Sequence, residues 1–190
     1  MALTTPVSRI VTATWLASAD LDWPAPVDSE ALLDAAQAAE NRWGLAGVSL
    51  RWPDEWLTAV VVPTPQIPAG HPLLTPAPDR WAAGLIAVCS RSGHPSHAAG
   101  RWLVQALGER LADRCPVVEA HGASRLGRTI YTPAASWLTA IGFRPLIQPP
   151  HRYRLSFRRA IRQPSLLPRL RPRLSWPPET ASATRGSSLG

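Results

Sequence analysis

The sequence predicts one α/β domain built on a mixed β-sheet with helices on both faces. Two observations point to it. Segments of helical periodicity alternate with short β-branched runs between about residues 27 and 162. An apolar share of 45% over 190 residues also suffices for a single core. The expected organisation is an N-terminal extension over 1–26, a domain over 27–162, and a disordered Arg/Pro-rich tail over 163–190.

The elements follow in order. Asp28 or Ser29 is placed to cap a helix with the body EALLDAAQAAENRW, rich in good helix formers, and Gly44 closes it. LAGVSLRW and WLTAVVVP read as strands separated by a turn at Pro53-Asp54-Glu55. The next stretch, TPQIPAGHPLLTPAPD, carries five prolines and reads as a long, stiffened loop. RWAAGLIAVCS has the continuous apolar character of a buried strand. SHAAGRWLVQALGERLADR is an amphipathic helix starting near Ser96, with Trp102, Leu103, Leu107 and Leu111 at helical spacing. PVVEAHG is a short strand. TPAASWLTAIG is a short helix with Thr132 as N-cap and Pro133 in its first position. FRPLIQP and HRYRLSFRRAI complete the series as strands. Residues 1–26 are weakly patterned, although Trp15, Leu16, Leu21 and Trp23 form an apolar strip able to lie against the domain.

Charge is distributed unevenly. The chain has a formal net charge of +7, and all its basic residues are Arg. Residues 151–190 hold nine Arg and one acid, so 9 − 1 = +8, which leaves −1 for residues 1–150. The predicted domain therefore lacks the basic stripe of a nucleic-acid-binding face. The tail carries neither RGG repeats nor interleaved aromatics, so a solvated appendage is favoured over an Arg-rich arm for nucleic acid. No apolar run approaches the roughly 20 residues that span a bilayer, and Met1–Leu16 lacks a secretory pattern. A cytoplasmic protein without a membrane partner is expected. In that compartment Cys89 and Cys115, each in apolar context, read as small buried hydrophobes. Trp81, Trp102 and Trp137 fall at core-facing places.

The segment from Leu85 to Gln105 carries the most chemistry: a strand, the loop SRSGHPSHAAG, then a helix. A helix start after a strand offers free N–H groups and a positive dipole end to a phosphate or pyrophosphate. Ala98, Ala99 and Gly100 would let an anion come close to the backbone, and Arg101 would add a charge-assisted contact. Arg91 flanks the same loop. His94 and His97 lack a further ligand cluster at structural-site spacing, so no metal is expected. Glu119 is read as the end of the strand PVVEA, with His121 following on the opposite face. Each is a candidate general base.

These residues resemble the GNAT acetyltransferases, whose signature is a strand followed by Arg/Gln-x-x-Gly-x-Gly/Ala. Gly100 matches the last small residue, Ala98 stands at the middle glycine and Pro95 at the leading Arg or Gln. SWLTAIGFRPL is similar to the family's last helix and its Gly-Phe step into a strand, here Gly142-Phe143. AGRWLVQALGERLADRCPVVEAHG is similar to the helix and strand before it. Leu138 occupies the place of a tyrosine that many members use as a general acid.

The resemblance implies a GNAT-like fold and direct transfer of an acetyl group from acetyl-CoA, as cosubstrate, to an amine of a small molecule or peptide. Ser96, His97, Ala98, Ala99, Gly100 and Arg101 would hold the pyrophosphate. The strand over 84–90, Val88 and Ser90 included, would offer amides to the pantetheine. Glu119 or His121 would assist deprotonation, and a homodimer is compatible with this reading. Pro95, Ala98 and Leu138 equally fit a non-catalytic GNAT-like binding or regulatory module.

Overall fold

In the computed structural model, residues 6–17, 29–76, 78–123 and 132–157 are described. Strand β1 (Val7–Val11) and the short helix α1 (Ala13–Ala17) come first, then helix α2 (Ser29–Trp43). Strands β2 (Gly47–Arg51), β3 (Trp56–Pro63) and β4 (Ala82–Ser90) follow, and two 3-10 turns, Thr64–Gln66 and Pro72–Leu74, lie in the β3–β4 connection. Helix α3 (His97–Leu111), strand β5 (Val117–His121), helix α4 (Ala135–Ala140) and strands β6 (Arg144–Pro145) and β7 (Arg152–Ser156) complete the order.

The seven strands form one sheet in the order β1-β2-β3-β4-β5-β7-β6. β4 and β5 run parallel, and every other neighbouring pair is antiparallel. Residues Leu57–Pro63 of β3 and Ala82–Cys89 of β4 are all buried, so both faces of the central sheet are covered. Successive residues of β7 show what covers them. Leu155 and Phe157 point toward Gly142 and Gly108, on the side of α4 and α3. Arg152 and Arg154 alternate with them and face the other side. Gly84, which pairs with Glu119, looks toward Ile67, so the proline-rich β3–β4 loop covers that second face. One polar pair lies within the sheet, where Thr58 Oγ1 donates to Ser49 Oγ across β2–β3 at 2.9 Å. Cys89 and Cys115 are buried and free, and burial raises both thiols, Cys115 to about 11.

The mixed α/β sheet agrees with the sequence expectation, and Gly44 closes α2 with φ +73°. Four local expectations need correcting. The stretch read as a weakly patterned extension supplies β1, which pairs with β2 along its length. It also supplies α1, whose Ala13 N–H is accepted by Glu40 Oε2 from α2 at 2.8 Å. Helix α4 begins at Ala135 with Ala134 as its capping position, not at Thr132. The reason is tertiary: Ala123 N–H donates to Pro133 O and Ala135 N–H to Ala123 O, which holds residues 133–135 extended beside the chain leaving β5. The strand read over FRPLIQP is only Arg144–Pro145. Finally, Trp81 is 63% exposed beneath the Arg80 guanidinium, whereas Trp137 is buried as expected. Asp28, Leu21, Trp23, Tyr131 and the tail over 163–190 lie outside the described residues. No helix among the described residues is long and apolar enough to cross a membrane.

Candidate functional site

The sheet opens between its two parallel strands. β4 pairs with β5 only from Ala82↔Val117 to Leu85↔Ala120, yet it continues along β3 as far as Leu57↔Ser90. The segment Ile86–Ser90 therefore has a neighbour on the β3 side, and no described strand pairs with its other edge. The parting begins at an irregularity. Val60 pairs with Ala87 and Val61 with Leu85, so Ile86 is a bulged residue without a partner on β3. Val88 and Ser90 lie on this unpartnered stretch, Val88 buried and Ser90 half-buried.

The chain then turns into α3. Ser96 is its N-cap, with Oγ accepting from Ala99 N–H at 3.1 Å, and Ser96 O accepts from Gly100 N–H at 3.0 Å. Ser96, His97, Ala98 and Arg101 are exposed, as are Arg91 and His94, and Ala99 and Gly100 are buried. Gly100 has a different reason to be small from the one the sequence suggested. A Cβ there would lie 2.4 Å from Ile141 Cγ2 and 2.7 Å from Trp137 Cζ2, so the missing side chain lets α4 pack on α3. Trp137 Nε1 completes the junction by donating to Ser96 O at 3.3 Å. Gly100→Ala is accordingly expected to destabilise the fold by about 1–3 kcal/mol through overpacking, read as a lower urea midpoint at unchanged m-value.

The two candidate bases sit together, contrary to the opposite-face reading. β5 runs on to His121, so the two-residue alternation puts Glu119 and His121 on one face. Glu119 is 1% exposed, and both its oxygens are engaged. Arg154 Nε donates to Oε1 at 3.0 Å, and Arg152 Nη1 lies 3.4 Å from Oε2. His121 is half-buried, and its ring centroid is 6.0 Å from that of His151. Burial first, then His151 and Arg152, lower its pKa below the ordinary 6.5. It is therefore neutral at about pH 7 and able to accept a proton.

Two residues that the sequence does not single out join this site. Arg152, only 4% exposed, also donates through Nη2 to the carbonyls of Leu73 and Pro76 in the β3–β4 loop. Burial lowers its pKa, and the charge and hydrogen bond of Glu119 oppose that shift. By sequence Arg152 and Arg154 belong to the basic C-terminal stretch, whereas in the fold they neutralise Glu119 inside the domain. Their spacing by two in HRYRLSF was the available signal. The other residue is His71, in the β3–β4 loop. Its Nε2 lies 3.1 Å from Ile86 O.

The arrangement is thus a mixed seven-stranded α/β sheet parted at its parallel pair. A helix N-terminus follows the end of one parting strand, and a neutral imidazole lies at the end of the other. No protein-family model, curated protein or solved structure matches this chain.

Proposed function

We propose that the chain is a GNAT-like N-acyltransferase that moves an acetyl group from acetyl-CoA directly to an amine of a small molecule or peptide. The observation that carries this reading is the parting of β4 from β5 next to the start of α3. A free strand edge can pair with an extended amide-bearing chain, and the pantetheine arm has two amides. The exposed first turn of α3 is suited to the pyrophosphate at the far end of that arm.

In this reading the amine nitrogen attacks the thioester carbon, the C–N bond forms and the C–S bond breaks. His121 accepts the proton that the nitrogen sheds. Glu119 serves the site through its ion pairs, since Arg152 and Arg154 occupy its oxygens. Leu138 is fully buried and offers no proton, so the departing thiolate is protonated by solvent. The engaged Glu119 and the apolar Leu138 are also what favour the second reading, a non-catalytic binding module of the same fold.

Calorimetry of acetyl-CoA with the full chain tests the proposal, with Ala98→Asp as the control. Ala98 is exposed in the first turn of α3, where an added carboxylate suits the helix dipole but repels a pyrophosphate. Micromolar binding that weakens about tenfold or more in this variant, at unchanged or raised Tm, supports the coenzyme site. No binding by the native chain overturns it. Binding without transfer to any amine selects the binding module.

A further inference from the structure

We infer that His71 is a positioning residue that holds the β4 bulge in place, standing in for the strand partner that Ile86 lacks. Ile86 is the residue with no Cα partner on β3, and it lies one position beyond Leu85, the last β4 residue paired with β5. A carbonyl at such a break needs a donor, because an unpaired buried backbone group is costly. His71 Nε2 supplies one at 3.1 Å.

The direction of that bond follows from the other side of the ring. The Leu73 N–H donates to His71 Nδ1 at 3.1 Å, so Nδ1 carries the lone pair and the proton sits on Nε2. A single neutral tautomer thus bridges the 3-10 turn Pro72–Leu74, of which His71 is the N-cap, to the bulge. The turn itself is anchored from β7, where Arg152 donates to Leu73 O and Pro76 O. The far ends of the loop are tied by Thr64 Oγ1, which donates toward Asp79 O at 2.8 Å and Ala82 O at 2.9 Å. The imidazole is therefore a fixed strut between a fastened loop and the strand edge.

Protonation breaks the strut. An imidazolium would direct an Nδ1–H at the Leu73 N–H, donor against donor. The titratable group that opposes a charge on His71 is His121 on β5, and on this face the carboxylate of Glu119 is already shared between Arg152 and Arg154 of β7. Burial and His121 lower the His71 pKa, with the Ile86 carbonyl opposing. His71 thus sets the spacing of the strand edge that, on the acyltransferase reading, receives the acyl arm.

The experiment uses the full chain in three forms: native, His71→Gln and His71→Leu. Gln places an amide N–H near the Nε2 position without titrating, and Leu removes the donor. Nitrogen NMR of the native imidazole is expected to show the neutral Nε2–H tautomer at about pH 7. An Nδ1–H tautomer or an imidazolium there overturns the inference. Hydrogen exchange at the amides of residues 85–88 should quicken about tenfold or more in His71→Leu and stay near native in His71→Gln. Equal exchange in all three forms also overturns it.

Protection of these amides, corrected for the intrinsic exchange rate, should fall in the native chain as the pH drops below 6.5, and that loss should vanish in His71→Gln. These readouts need no coenzyme, so they stand apart from the acyltransferase reading. If acetyl-CoA binds, its Kd should rise about tenfold in His71→Leu only. If it does not bind at all, the acyltransferase reading fails while the tautomer and exchange results still decide the strut.

Discussion

Arg152→Met is expected to destabilise the folded chain by about 3–5 kcal/mol, because it removes one partner of a buried charge cluster. The guanidinium bonds Glu119 on β5 and the Leu73 and Pro76 carbonyls of the β3–β4 loop, so one side chain joins three separate parts of the chain. Its loss leaves Glu119, 1% exposed, facing only the half-exposed Arg154. A buried carboxylate with a single partner and two orphaned carbonyls add to one another rather than compensate. For a domain of this size the shift in Tm should be roughly 10 °C or more. Glu119→Gln tests the same cluster from the other side. If the ions act as one unit, the double variant should cost clearly less than the sum of the two single variants. Strict additivity with small single effects, below about 1 kcal/mol each, would show that the cluster is an ordinary surface pair.

On the acyltransferase reading, His121→Gln is expected to lower kcat by about 10²-fold or more while leaving acetyl-CoA affinity near native. The residue lies at the end of β5, on the face covered by the β3–β4 loop, and its lowered pKa keeps it unprotonated near neutrality. The sign of the pH effect follows. As the pH falls through the lowered pKa, below 6.5, the imidazole gains a proton and kcat/KM declines; above that point it reaches a plateau. In His121→Gln that acidic limb should disappear. A variant with native kcat and an unchanged limb would remove His121 from the mechanism. His71 titrates below 6.5 as well, so the profile is best measured in the His71→Gln background, which removes the His71 contribution.

The sequence determined the class of the fold and most of its elements. The apolar run from Ala82 to Cys89 reads as a buried strand, as the structure has it, and Ser96 before HAAGRWLVQAL marked a helix start that the structure places at His97. Gly142-Phe143 was singled out by the resemblance, and its structural reason is local: the glycine has φ +107° at the end of α4, and Phe143 is 2% exposed behind it. Such features depend on the chain's own neighbours, and period and capping chemistry report them directly.

Tertiary structure decided the rest, because the deciding partners lie far apart in sequence. β1 has an exposed, alternating pattern and becomes a strand only through its pairing with β2. The smallness of Gly100 answers to Trp137 and Ile141, some 40 residues on. Glu119 reads from sequence as a free base, but β7 brings Arg152 and Arg154 beside it, and His71 reads as a loop residue, but the fold sets its ring against the carbonyl of the bulged Ile86. A single chain records which side chains are available. Only the folded sheet determines which of them meet, and burial then makes those meetings strong enough to matter.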